Sequence, residues 1–189
     1  MSRFLNTRSG LLACGVILGL GFVSATAGVG LAQSALKKRY VGRIPNERVL
    51  ASLNERVRMH AESLLGSQVG GGECTDLVNE VLRFCNAKQI HIRSDGQYEW
   101  GQAIPLYKKE GGLFVIPGDI LQFENVELKG GGSSYKYPHH TAIVRSANGK
   151  VIELLHQNVN GVRRAVTGSI NLDQLQPGGT ISTFRPKPL

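Results

Sequence analysis

Residues 70–85, GGGECTDLVNEVLRFC, set three glycines and a glutamate before a run in which Cys74, Leu77, Val78, Val81, Leu82 and Cys85 recur at i, i+3, i+4, i+7, i+8 and i+11. That spacing is one continuous stripe on an α-helix, so the segment reads as an amphipathic helix opening at Cys74. Two cysteines share the stripe. They lie eleven residues apart, about 16 Å along a helix axis, which excludes a disulfide between them. Cys74 stands at the helix start, where free N–H groups and the dipole stabilise a thiolate; Cys85 stands at the opposite end, where they do not. Burial in a core is the ordinary fate of a free cysteine, and by periodicity alone it fits both. The glycines favour Cys74 as a nucleophile, because backbone without side chains lets a substrate approach the helix start.

On the N-terminal side, Val49, Leu50, Leu53, Val57, Ala61, Leu64 and Leu65 follow helical spacing, which predicts a first helix over 45–65 with Pro45 in its first turn and Gly66 as its stop. On the C-terminal side the pattern changes to short apolar runs separated by Gly, Pro and Asn: LFVI, DILQF, TAIV, VIELL, VRRAV and TISTF. These have strand length, and no further long helix connects them, so an antiparallel sheet is expected. Helices followed by strands make an α+β domain. Residues 130–138, GGGSSYKYP, read as a loop.

The 189 residues carry 41% hydrophobic and 19% charged side chains and a formal charge of +8. That composition suits one globular domain, here 45–189, and excludes a disordered chain. No interleaving of aromatic and basic residues points to nucleic acid. Arg3 and Arg8 precede an uncharged apolar run at 11–32, which reads as an export signal cleaved after Ala27 or Ala32, or as an uncleaved membrane anchor; 33–44 is then a linker. Lys37, Lys38 and Arg39, just after the run, fit a cytoplasmic side better than an exported one. LLAC at 11–14 is not a lipoprotein box, since the apolar run follows Cys14.

A cysteine nucleophile needs a base. His60 falls within the first helix and His91 in the loop after the second, positions that suit surface or packing roles. His139 and His140 open the strand HTAIVRS, which Ala147-Asn148-Gly149 joins to VIELLHQN as a hairpin. A three-residue loop puts His140 opposite His156; a two-residue loop at Asn148-Gly149 puts it opposite Gln157. The hydrophobic pattern favours the first, with Ala142, Val144, Ile152 and Leu154 forming an apolar face toward the helix and Thr141, Arg145, Glu153 and Gln157 facing water. His140, His156 and Asn158 then share one face. Helix-start cysteine, strand-start histidine and a polar group on the next strand form the nucleophile, base and orienter of acyl transfer. Trp100 in YEWG fits either a packed core or the wall of a cleft.

The pieces GGGECTDLV, HHTAIV and LHQNVNG resemble those of papain-like hydrolases, in particular CHAP amidases and peptidases. The likeness is nearer still to the cysteine-proteinase-fold domain of fungal actin-patch adaptor proteins, through QVGGGEC, YEWGQAI, PGDILQF, HHTAIV, HQNVNG and ISTFRP, over most of 67–186. The resemblance implies a papain-like (NlpC/CHAP-type) core with Cys74 as nucleophile, His140 as base and Asn158 as the orienting amide. It also implies Gln68 as an oxyanion-hole donor beside the Cys74 N–H. His156 stands where the CHAP pattern has an acid, as in some NlpC-type amidases; a neutral imidazole can accept a hydrogen bond from His140 but stabilises an imidazolium less.

The expected function is an exported cysteine hydrolase that cleaves an amide bond, in a peptide or a peptidoglycan-like polymer, through a thioester. Transglutaminase-like transfer uses the same set. A non-catalytic binding module that keeps the fold is the alternative, suggested by the adaptor likeness and by His156. No cofactor or metal is expected: the cysteines are too far apart, His139-His140 lacks further ligands at useful spacing, and GGGEC lacks the lysine of a phosphate loop.

Overall fold

The structure, a computed structural model, describes residues 52–189. The expected signal or anchor at 11–32 and the linker at 33–44 lie outside the described residues.

Two helices precede the strands. Helix α1 (Leu53–Ser63) opens at Ser52, whose hydroxyl accepts a hydrogen bond from the Glu55 N–H at 3.2 Å. Serine is a favoured helix cap, so this helix begins at Leu53; the upstream part of the expected helix, 45–51, lies outside the described residues. Helix α2 (Cys74–Phe84) has the expected bounds, and Leu77, Val78, Val81 and Leu82 are fully buried.

Eight strands follow: β1 (His91–Ile92), β2 (Tyr98–Glu99), β3 (Gln102–Ile104), β4 (Ile120–Gly130), β5 (Ser133–Asn148), β6 (Val151–His156), β7 (Val166–Asn171) and β8 (Thr180–Arg185). β1 and β2 form a small ribbon. The other six make one antiparallel sheet in the order β3-β8-β4-β5-β6-β7. The architecture is the α+β one expected, with three local differences. Segment 133–138 is strand rather than loop, because β4 and β5 continue as a long hairpin that turns at Gly131-Gly132. LFVI at 113–116 forms no named strand, and β7 begins only at Val166, at the last residue of VRRAV.

The sheet is covered on both faces. Ile120, Ile143, Leu155 and Phe184 face the helices and pack with Val57, Leu77, Val81 and Trp100. Leu121, Phe123, Ala142, Val144, Ile152 and Leu154 face the other way and pack with Val115, Leu128 and Leu172. The two-faced burial reverses one expectation: the helices cover the odd-numbered residues of β5, not Ala142 and Val144. Trp100 belongs to the core, donating from Nε1 to the Gln122 side chain at 3.1 Å.

One buried carboxylate ties the ends of the domain together. Asp119, fully buried at the turn before β4, accepts from Arg185 Nε and Nη2 at 3.1 and 2.9 Å, from Asn54 Nδ2 at 2.7 Å and from the Ile116 N–H at 2.9 Å. Gly118 beside it has φ +87°, and a β-carbon there would overlap the Asn54 backbone. Removing the carboxylate leaves the buried Asn54 amide and the Ile116 N–H without their acceptor and the half-buried Arg185 guanidinium without its pair. Asp119→Ala is therefore expected to cost about 3–5 kcal/mol in urea unfolding, whereas Asp173→Ala, which breaks an exposed pair with Lys150, costs under about 1 kcal/mol.

Candidate active site

The site forms where α2 begins and where the pairing of β5 with β6 runs out. A two-residue Gly149-Lys150 turn joins those strands, and a bulge between Val144 and Ser146 shifts their register, so the last pairs toward the site are Val144 with Leu154 and Ile143 with Leu155. The expected three-residue loop is thus replaced by a shorter turn plus a bulge. The two changes preserve the alternation of faces, which keeps His140 and His156 on one side.

Beyond Ile143 the β5 backbone is no longer laddered to β6, and the Thr141 N–H meets the Cys74 thiol. Cys74 is 8% exposed. Burial pushes its thiol up, and the Glu73 charge adds to that; the N–H groups of Thr141, Thr75 and Cys74 itself oppose it. Glu73 is the residue before the helix, and its N–H donates to the Asp76 carboxylate at 3.0 Å. Cys85, at the far end of α2, is buried against the helices and its thiol is also raised by burial.

His140 and His156 are 4% and 3% exposed. His140 Nε2 lies 3.2 Å from His156 Nδ1, a hydrogen bond between two buried imidazoles. Burial foremost, then the neighbouring His156 and His139, depress His140 to about 3; burial depresses His156 to about 4. Both rings are neutral at neutral pH. The His140 ring lies against Tyr137, with centroids 5.2 Å apart, and near Phe123. A cleft of about 100 Å³ opens beside it, lined by Tyr137, His139, His140 and Asn158. His139 is exposed and bonds Glu124 through Nδ1 at 2.9 Å.

The other candidates sit differently. Asn158 has φ +62° and donates from Nδ2 to Glu73 at 2.6 Å, so the atom beside His140 Nε2 is His156 Nδ1 and not the Asn158 amide. Gln68 is exposed on the loop before the glycines and has no side-chain hydrogen bond among the described residues. His60 stacks on Phe84 at 3.7 Å and His91 is exposed.

Two residues outside the sequence-based set shape the site. Gln157, fully buried, accepts from the Val69 N–H at 2.8 Å and donates to the Val69 and Glu73 carbonyls at 3.0 and 2.8 Å. It clamps the glycine loop that delivers Cys74. Alternation does place Gln157 opposite His140 and His156, but that face carries helices and not water. Arg163 pairs with Glu73 and donates to the Gly71 carbonyl at 2.8 Å, lying across the helix start. No sequence motif marks it, since its partners are about ninety residues away.

A family model described as the AIM3/BBC1 cysteine proteinase-fold domain matches residues 47–188. The chain belongs to that family. Within this cysteine proteinase-fold domain the matched region takes in both helices, the whole sheet and every candidate residue above. Altered inheritance of mitochondria protein 3 of Debaryomyces hansenii is 28% identical over 149 aligned residues, covering 71% of this chain and 16% of that protein. The chain thus spans about a sixth of the curated relative it matches. A solved structure described as Ly7917 with the hydrolyzing product of MDP aligns with 18% identity and a TM-score of 0.49, over 72% of this chain and 63% of its own. A second structure of Ly7917 gives a TM-score of 0.47.

Proposed function

We propose that this cysteine proteinase-fold domain is a thiol hydrolase of peptide-type amide bonds, with Cys74 as nucleophile, His140 as base and His156 as the group that orients it. The reading is carried by the 3.2 Å bond between His140 Nε2 and His156 Nδ1, together with a helix-start thiol that bears on the backbone N–H of Thr141, the next residue along β5. With Nε2 engaged, His140 Nδ1 is the ring nitrogen left to take the thiol proton. Sγ attacks the amide carbon as that proton moves to His140; the C–N bond then breaks, His140 returns the proton to the leaving amine, and water hydrolyses the thioester. The Cys74 N–H contributes to oxyanion stabilisation, with Gln68 as second donor once substrate orders its loop. Residues 11–32 would direct the domain to or across a membrane, where amide-linked polymers such as peptidoglycan are the substrate class; the mature N-terminus tests this. Among the described residues no helix is long and apolar enough to cross a membrane.

A second reading, a binding module, is favoured by one observation. Arg163 and Asn158 both bond Glu73 across the start of α2, and Cys74 is nearly covered. One measurement separates the two: mass spectrometry after limited treatment with iodoacetamide and with a peptidyl vinyl sulfone. Hydrolase function predicts a Cys74 adduct formed at least about tenfold faster than any at Cys85, and release of amine from peptide substrates that Cys74→Ala abolishes. Equal, slow labelling of both thiols leaves only the binding module.

A further inference from the structure

On the sheet face turned away from the helices, a second and larger cavity of about 520 Å³ adjoins the histidine pair. Leu128, Val162 and Ile170 give its wall apolar patches and Thr167, Ser169 and Asn171 polar ones, and apart from His156 no carboxyl or basic group lines it. Its size is that of a small-molecule or dipeptide site. His156 is 97% buried by its 3% exposure, and its Nδ1 is taken by His140, but its Nε2 has no hydrogen-bond partner among the described residues. That nitrogen lies over Gly168: a β-carbon on residue 168 would stand 2.6 Å from it. Glycine at this one place in β7 keeps the ring edge uncovered on the cavity side. That nitrogen is thus open to the cavity and free to bond whatever occupies it.

The chemistry of the pair says which partner it wants. If His140 Nδ1 is to accept a proton, His140 Nε2 carries hydrogen and donates to His156 Nδ1. The hydrogen of neutral His156 must then sit on Nε2. The cavity is therefore presented with an N–H donor in an otherwise uncharged wall of mixed polarity. We propose that this cavity binds a small amphipathic ligand whose oxygen, a carboxylate or a peptide carbonyl, accepts a hydrogen bond from His156 Nε2–H. The ligand would occupy the outer end of the Cys74, His140, His156 series, where it completes the relay that HQN leaves without an acid. A bound acceptor there holds His156 in the tautomer that lets His140 act as base. The inference rests on the assignment of His140 as the base.

The test uses the full chain with ¹⁵N-labelled histidine, titrated separately with hexanoate and with N-acetyl-leucinamide. The His156 Nε2 resonance is expected to move saturably with at least one probe, while exposed His139 does not. Response to hexanoate alone assigns a carboxylate ligand, and response to the amide alone assigns a peptide carbonyl. Val162→Trp, which adds bulk to the cavity wall, should weaken the binding about tenfold or more and leave Cys74 alkylation unchanged. A His156 resonance unmoved by both probes, or moved equally in Val162→Trp, overturns the proposal. Cys74 labelling on the same samples keeps the two readings apart: an inert thiol with a saturable His156 shift rejects the hydrolase and retains the cavity ligand, and a reactive thiol with an unmoved His156 does the reverse.

Discussion

His140→Ala is expected to lower amide hydrolysis by about 10²–10⁴-fold, the range for loss of a positioned base. His156→Ala should lose somewhat less, since the base survives but its orientation does not. The pH dependence distinguishes the way this site makes its nucleophile. Burial raises the Cys74 thiol and depresses His140 to about 3, so at neutral pH both groups are uncharged. A thiol with a raised pKa has a thiolate fraction that climbs about tenfold per pH unit below that pKa. Alkylation of Cys74 should therefore rise continuously from pH 5 to 9. A preformed thiolate-imidazolium pair would instead give a plateau above the thiolate's low pKa. Such a plateau between pH 5 and 8 would show that the resting site is ionised and that the neutral-pair account is wrong. The neutral resting state also gives the His156 cavity its importance: an acceptor oxygen on His156 Nε2–H favours the charged form of His140 that the attack generates.

Gln157→Ala carries the second large effect, and it acts on position. The Gln157 amide holds three backbone groups of the segment before Cys74, and each buried group left without a partner costs about 1–3 kcal/mol. With partial rescue by water, the loss of stability should be about 2–5 kcal/mol in urea unfolding. Cys74 should also lose its selectivity over Cys85 toward a peptidyl probe under conditions where the variant is still folded. Gln157→Glu is the informative companion, since it keeps one acceptor for the Val69 N–H and loses the donor to two carbonyls. Unchanged stability and unchanged labelling in both variants would mean that the glycine loop is positioned by something other than this amide.

The difference between legible and illegible residues follows from the range of the interactions. Helix α2 was readable because six apolar positions at helical spacing need only one buried face to explain them, and the Cys74 start falls within that local pattern. In helix α1 the apolar repeat is continuous through Ser52, so periodicity alone does not mark the cap there. The faces of β5 and β6 were correctly alternated, since strand period is local, but which face the helices cover was not: a sheet buried on both sides has no polar face to break the tie. The hairpin register also depended on a bulge at 144–146 that no residue type announces.

By itself, then, the chain determined helix α2, most of the strands, the placing of a thiol at a helix start and the sharing of one strand face by His140 and His156, all consequences of backbone periodicity. Only the tertiary structure decided that His156, not Asn158, meets His140 Nε2, and that Asn158 and Arg163 instead bond Glu73. It alone brought Gln157 onto the loop 84 to 88 residues away and opened the cavity over Gly168. Those contacts join segments whose separation is set by the crossing of strands and helices, and a side chain's direction at a strand end depends on where the ladder stops.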